Sequence, residues 1–143
     1  MMKIIDADGH VAEGTSLALE AMRRAEDPSP WFGYKMRYIN PLTGGDAIPT
    51  ISTFMQLIPG GMTTQHYGAT DSTVFVVVEG TGESRIGDTR FVWEPHDIFV
   101  VPSWMKHTHH AESEAVLFSF SDRPVQEKLA LWREQRGNSA ARA

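Results

Sequence analysis

From residue 34 onwards, short runs of apolar and β-branched residues alternate with turns rich in glycine, proline and aspartate. The runs are YKMRYI (34–39), TISTFMQLI (50–58), STVFVVVEG (72–80), SRIGD (84–88), RFVWE (90–94), DIFVVP (97–102) and AVLFSFS (115–121). Each run has the length of a strand, and no helical pattern separates one run from the next. Evenly spaced strands of this kind predict an all-β domain, folded as an antiparallel sandwich or barrel.

A helix is predicted on either side of this β-rich part. TSLALEAMRRA (15–25) places apolar residues at helical spacing after a capping serine or threonine, and prolines follow it. In SDRPVQEKLALWREQRG (121–137), an apolar stripe runs from Val125 to Trp132, and Gly137 ends the helix. The predicted parts of this single domain are an N-terminal arm with a short helix (1–33), the barrel (34–121), a C-terminal helix (122–137) and a frayed tail (138–143).

The composition excludes several classes of function. At 143 residues the chain can bury a core without disulfides, and the absence of cysteine excludes thiolate metal sites and a cysteine nucleophile. A net charge of −5 without a basic cluster argues against nucleic-acid binding. No apolar run approaches the roughly 20 residues that cross a bilayer, and the N-terminus does not resemble a secretion signal. We therefore expect no membrane attachment and a cytoplasmic location.

Six histidines are the main candidates for chemistry. Three of them, His107, His109 and His110, lie within the segment KHTHHAE. Neutral imidazole is the commonest protein ligand for transition metals. Side chains at positions i and i+2 of a strand point to the same face, so His107 and His109 can share one ion, whereas His110 faces the other way.

The spacing of glycine and histidine resembles the first of the two sequence motifs of the cupin superfamily. That motif reads G-x5-H-x-H-x(3,4)-E-x6-G, and this chain matches it with Gly60, His66 and Gly80. Gly68 stands where the second histidine is expected, and residues 72–73, a serine and a threonine, occupy the glutamate position.

DIFVVPSWMKH (97–107) resembles the second cupin motif. Pro102 and His107 match it, whereas Trp104 stands where glycine is usual and Ala111 stands where asparagine is usual. Together the two motifs imply a single-domain cupin, a double-stranded β-helix or jelly-roll barrel.

Over a longer span the chain is similar to the C-terminal cupin half of gentisate 1,2-dioxygenases and of the related salicylate and 1-hydroxy-2-naphthoate dioxygenases. The segments that carry this resemblance are YINPLTGG, PTISTFMQLIPGG, STVFVVVEGTGESRIGD, FVVPSW and LFSFSDRPVQEKLALWREQRG. The resemblance implies assembly into dimers or tetramers. Those enzymes carry the catalytic iron mainly in an N-terminal cupin, which this chain is too short to contain.

The predicted metal ligands are His66 and His107, which match the motifs, and His109, which could replace the missing second histidine. Fe(II) is the metal that the resemblance implies, and another divalent metal, or none, stays open. The alternative is a vestigial pocket in which these histidines bind neighbouring side chains or water. Gln56, in the middle of a strand, and Trp104 are the predicted substrate-pocket residues, and no catalytic residue is assigned.

Two functions follow from these expectations. The first is a ring-cleaving dioxygenase, or a component of one, in which Fe(II) and a small aromatic hydroxy acid meet inside the barrel. The second is a non-catalytic cupin module with a degenerate metal site, which dimerises or partners a separate catalytic half. In both cases we expect a homodimer or a higher homo-oligomer, because a jelly roll leaves open sheet edges that need covering.

Overall fold

The computed structural model describes residues 17, 19–24 and 27–137 of the protein, and within them ten strands form two five-stranded antiparallel sheets. The first sheet contains, in spatial order, β1 (Tyr34–Arg37), β2 (Ser52–Ile58), β9 (Ala115–Ser121), β4 (Thr73–Glu79) and β7 (Ile98–Val101). The second contains β10 (Glu134–Arg136), β3 (Tyr67–Ala69), β8 (His107–Ala111), β5 (Gly82–Ile86) and β6 (Thr89–Trp93). The predicted all-β jelly-roll barrel is confirmed.

The core lies between the two sheets and follows from the alternation of side chains along each strand. In β4, Phe75 and Val77 point between the sheets and are buried, and the Phe75 ring stacks on Phe99 with 5.1 Å between the ring centroids. The main cluster is Ile58, Phe75, Val77, Ile86, Trp93, Phe99, Val101, Ala111, Ala115 and Leu117. Burying one such large side chain contributes about 1.5–3 kcal/mol, so this layer stabilises the contact between the two sheets.

The outer face of the first sheet is also apolar along β4, β7 and β9. On this face Val76 lies beside Phe118 and Ile98, and Val74 lies beside Phe120 and Val100. We call these six residues the outer patch. Ile98 and Val100 lie on β7, the edge strand of the sheet, and they are 67% and 51% exposed. An antiparallel sheet that faces water normally carries polar side chains there, so the outer patch has the composition of a covered surface.

The predicted N-terminal helix is present, because residues 19–24 are helical. Leu19 and Met22 are buried in a cluster with Met55, Leu57 and Val116, on the outer face of the first sheet next to the outer patch. The predicted arm before residue 17 and the predicted tail (138–143) lie outside the described residues. Among the helical segments that the structure describes, none would span a membrane.

The predicted C-terminal helix is present but shorter than expected. It spans Arg123–Lys128 instead of 122–137, and the end of the predicted helix forms strand β10, which pairs with β3. Leu129, which belongs to the predicted apolar stripe, is 63% exposed. Ala130 has a φ of 56°, a left-handed conformation that takes the chain out of the helix.

The side chain of Trp132 explains why the stripe was misleading. Its ring packs against the guanidinium group of Arg123, with 4.0 Å between the guanidinium carbon and the ring centroid. Its indole N–H donates a hydrogen bond of 3.1 Å to Asp71 Oδ1. Trp132 packs against the barrel as expected, but it does so after the chain has reversed, so tertiary contacts override the local helical pattern.

Candidate functional site

A small cavity lies inside the barrel between the two sheets. Its volume is about 30 Å³, which is room for one or two water molecules. Its apolar lining includes Phe32, Phe54, Tyr67, Ala69 and Phe75. Its polar lining consists of Lys35, Gln56, Asp71, Thr73, His107, His109 and Arg123, and Trp31 also lines it.

His107 and His109 face this cavity together, as their spacing on β8 predicts. Their ring centroids are 5.1 Å apart, and the His109 ring lies 4.9 Å from that of Phe75. Burial lowers the pKa of His107 to about 4, against a smaller opposing effect of the hydrogen bond to the Met105 carbonyl. Burial, followed by the proximity of His107 and Lys35, holds the pKa of His109 well below its ordinary value. Both imidazoles are therefore neutral near pH 7.

A hydrogen-bond relay connects His109 to a buried tryptophan. The indole N–H of Trp93 donates to Ser84 Oγ at 2.9 Å, and Ser84 Oγ lies 2.6 Å from His109 Nδ1. A tryptophan N–H can only donate, so the Ser84 hydroxyl accepts from Trp93, and the direction of its hydrogen bond with Nδ1 is set by the tautomer of His109. His109 Nε2 is buried and has no hydrogen-bond partner among the described residues.

His66 does not join the two histidines. It is exposed and lines a different, open hollow of about 510 Å³ on the outside of the second sheet, together with Thr63 and His110. The inward position at this end of β3 is held by Tyr67, which pairs with His107 across the two strands. The structure thus brings together His107 and His109 of the predicted metal set and leaves His66 outside the barrel.

The separation of His66 comes from a register difference of one residue. When the first motif is counted from Gly61 instead of Gly60, the same spacing selects Tyr67, Ala69 and Thr73 as the ligand positions. These three residues line the cavity, whereas His66 does not. A slip of one residue turns every side chain of a strand to its other face, and the sequence alone allowed both registers.

The described residues do not provide a metal site of the predicted kind. No group of three or more His, Cys, Asp or Glu side chains that could hold an ion is found among residues 17, 19–24 and 27–137. Non-haem Fe(II) oxygenases typically use two histidines and a carboxylate on one face. The third residue of the predicted set, His66, lies outside the barrel, and no third ligand joins His107 and His109 among these described residues. The residues present therefore do not fit the implied iron.

The two predicted substrate-pocket residues have different positions. Gln56 is buried in β2, lines the cavity and donates a hydrogen bond from Nε2 to the Phe32 carbonyl at 2.7 Å. Trp104 does not line the cavity and is 41% exposed. Its φ is 62°, and its amide donates to the Ala69 carbonyl at 2.6 Å. The left-handed backbone of this turn explains why glycine is usual at this motif position.

We expect Trp104→Gly to stabilise the protein by about 1 kcal/mol, because glycine adopts a positive φ without the steric cost that a Cβ imposes. Urea unfolding measures the change. Trp104→Ala is the matched control: it also removes the indole but keeps the Cβ, so it should bring no such gain. Equal stability of the glycine and alanine variants would contradict this explanation.

Lys35 is a site residue that the sequence pattern did not reveal. It lies opposite Gln56 in the β1–β2 register, and its Nζ lies 4.5 and 4.4 Å from the ring centroids of Phe32 and Phe54. Although Lys35 as a whole residue is exposed, its ammonium group is enclosed by these rings. This burial, with the positive charge of Arg123 as a second cause, lowers the pKa of Lys35 to about 8. The polar Gln56 among the apolar residues of the second half of β2 was the available signal.

Tyr67 closes the other side of the cavity. Its ring packs edge-on against Phe32 and His107, and its hydroxyl donates a hydrogen bond of 2.8 Å to Glu134 Oε2. Burial and this hydrogen bond raise the pKa of Tyr67, so the phenol stays protonated at ordinary pH. Tyr67 therefore does not provide an anionic ligand for a metal.

Comparison with known proteins places the barrel in a family. The profile of the cupin domain matches residues 53–120. Gentisate 1,2 dioxygenase 1 of Aquipseudomonas alcaligenes is 57% identical over 119 residues, which are 83% of this chain and 34% of that enzyme. The protein is a cupin related to gentisate-type ring-cleaving dioxygenases. The 1-hydroxy-2-naphthoate 1,2-dioxygenase of Nocardioides sp. (strain KP7) is a more distant relative of this cupin, 29% identical over 110 residues that cover 75% of this chain and 28% of the enzyme.

A solved structure gives the same relationship. The salicylate 1,2-dioxygenase of Pseudoaminobacter salicylatoxidans, crystallised with gentisate, superposes with a TM-score of 0.74 at 34% identity, over 87% of this cupin and 34% of that chain. The cupin spans about a third of the length of the relatives that it matches.

Proposed function

We propose that this cupin serves a gentisate-type ring-cleaving dioxygenase as a domain that holds no iron of its own. The observation that carries the proposal is the identity of the inward residues at the motif positions, Tyr67, Ala69 and Thr73. With these residues only His107 is left of the motif ligands. In this proposal Fe(II) and the aromatic hydroxy acid are held by another cupin domain.

The size of the cavity also supports the proposal that another cupin domain holds the aromatic hydroxy acid. Sites for small organic molecules usually have volumes of about 300–1,000 Å³. The cavity here has about 30 Å³, because Phe54, Tyr67 and Phe75 occupy the barrel interior. An aromatic hydroxy acid would have to displace these side chains, so the barrel is better suited to a supporting role than to binding the substrate.

Oxygen uptake tests the proposal directly. We expect the purified protein, supplied with Fe(II) and gentisate, to consume no oxygen above the rate of the ferrous buffer. The intact Aquipseudomonas alcaligenes enzyme is the positive control. Oxygen consumption by this chain alone, at a rate that depends on gentisate, would refute the proposal.

A chimera tests the supporting role. This cupin would replace the matching segment of the Aquipseudomonas alcaligenes enzyme, and the chimera should cleave gentisate. His107→Gln in the chimera should leave its iron content unchanged, because the proposal places the iron elsewhere. Loss of iron in that variant would show that this barrel holds the metal.

The proposal includes self-association through the outer patch. The six residues are uncharged, so two copies can bring this face together without repulsion between like charges. The adjacent edge strand β7 has the sequence IFVV, without the charges or proline that usually protect an edge. Two identical edge strands pair antiparallel about a twofold axis, so a second copy of this chain is the partner that fits. We place this assembly in the cytoplasm.

A further inference from the structure

Two buried polar atoms at the wall of the inner cavity lack a hydrogen-bond partner among the described residues. Within that part of the chain, three buried side-chain atoms form no hydrogen bond: Trp31 Nε1, His109 Nε2 and Ser119 Oγ. Trp31 and His109 both line the inner cavity, and His109 is 2% exposed. A buried polar group without a hydrogen bond is costly, so a ligand that bonds to these two nitrogens is expected in the cavity.

The two nitrogens differ in the hydrogen bond that they can form. An indole N–H can only donate, so Trp31 Nε1 needs an acceptor. His109 Nε2 donates in one tautomer and accepts in the other, because the Ser84 hydroxyl that contacts Nδ1 can bond in either direction. A ligand that both donates and accepts therefore satisfies both nitrogens, whichever tautomer His109 adopts. Water has this property.

His107 provides an acceptor in the same cavity. Its Nδ1 lies 3.3 Å from the carbonyl oxygen of Met105, which can only accept, so the proton of the neutral ring lies on Nδ1. The lone pair is then on His107 Nε2. The ring centroids of His107 and His109 are 5.1 Å apart, so one ligand, or two in contact, can serve both imidazoles.

The charges around the cavity give no reason for an ion. The negative charges of Asp71 and Glu134 act on Lys35. Arg123 forms an ion pair with Glu127. No group of three or more His, Cys, Asp or Glu side chains in the described part of the chain could hold a metal ion. A neutral ligand is therefore favoured.

The size of the cavity restricts a neutral ligand to water. A water molecule needs a volume of about 10–15 Å³ on the same measure and two to four polar partners. The cavity provides about 30 Å³ and has both nitrogens in its wall. Organic ligands usually occupy sites of about 300–1,000 Å³.

We propose that the cavity binds one or two water molecules as permanent ligands, which accept the indole N–H of Trp31 and form a hydrogen bond with His109 Nε2. The lone pair of His107 Nε2 accepts a further hydrogen bond from this water. The water completes the hydrogen bonds of the two inward histidines without a metal. No covalent step is involved.

A crystal structure of the protein tests the site directly. We expect electron density for water within hydrogen-bond distance of both Trp31 Nε1 and His109 Nε2. In solution, ¹⁵N-labelled protein should show a cross-peak between water and the Trp31 indole N–H, with the rotating-frame sign of a long-lived contact and not of hydrogen exchange. A dry cavity in folded protein, or density for an ion or a larger molecule there, would overturn the proposal.

Two variants assign the cross-peak to the cavity. Ala69 lines the cavity and is buried, so Ala69→Val should fill the space and abolish the Trp31 cross-peak. Thr73→Val is the matched control, because it keeps the volume of the wall and removes only a hydroxyl group. Thr73→Val should keep the cross-peak. A cross-peak that persisted in folded Ala69→Val, or that disappeared in folded Thr73→Val, would show that it does not come from the proposed water.

The water site can stand or fail separately from the proposed function. Protein treated with a chelator should keep the Trp31 cross-peak, and a cross-peak that required iron would overturn the water site. Gentisate-dependent oxygen uptake by the same samples would refute the proposed function, whereas the cross-peak would still support the water site.

Discussion

Val100→Glu is expected to convert the self-associated protein into a monomer of about 16.0 kDa. Val100 lies on the edge strand β7 at the centre of the proposed interface, and about half of its surface is exposed. A twofold interface would place two new carboxylates near each other and remove them from water. Burying unpaired charges is strongly unfavourable, so dissociation is the favourable outcome. Analytical ultracentrifugation at micromolar concentration measures the change in mass.

Val92→Glu is the matched control for this prediction. Val92 is also an exposed valine, with 73% of its surface accessible, and it lies on β6, the edge strand of the second sheet. We expect Val92→Glu to keep the mass of the unmodified protein. If both variants kept the same mass, or if the unmodified protein were itself a monomer, the outer patch would not be the interface.

Lowering the pH from 6.5 to 4 is expected to cost about 3 kcal/mol of stability through His107 alone. The unfolded chain gives this histidine a pKa of 6.5, and burial lowers the pKa to about 4 in the folded protein. Between these values the unfolded state binds a proton that the folded state does not. Stability is therefore complete above pH 6.5 and is lost as the pH falls towards 4. The lowered pKa of His109 adds to the loss in the same direction.

Urea unfolding at pH 7 and pH 4.5 measures this dependence. His107→Gln should show a smaller loss of stability on acidification, because the variant has no imidazole to protonate at this position. His66→Gln is the control, since His66 is exposed, and it should show the loss of the unmodified protein. An identical pH dependence of the two variants would mean that His107 is not buried as described.

The strand pattern predicted the architecture because alternation reports burial directly. The run STVFVVVEG contains β4, and AVLFSFS coincides with β9, which pairs with it along almost its whole length. The second sheet was harder to predict from the sequence, because β3 and β10 have only three residues each and lack a clear alternation of apolar and polar side chains. β10 exists because it pairs with β3, and a local pattern contains no information about that contact.

The site was only half predictable for a similar reason. His107 and His109 were found from a spacing within one strand, which fixes the face that they share. The prediction of His66 depended on the position of the motif relative to a glycine. The two neighbouring glycines at positions 60 and 61 allowed either His66 or Tyr67 to take the first ligand position. Lys35 lies at the site because it pairs with Gln56 across two strands, and sequence spacing does not predict such a contact.

The hydrogen-bond relay between Trp93 and His109 gives the barrel an internal optical probe. Only one hydroxyl group, that of Ser84, separates the indole N–H of Trp93 from the imidazole. Trp93 is 2% exposed, whereas Trp104 is 41% exposed, so the environments of these two indoles differ sharply. Any event that changes the charge or the tautomer of His109 alters the hydrogen bond to the buried indole. The emission of Trp93 therefore reports on the cavity without an added label.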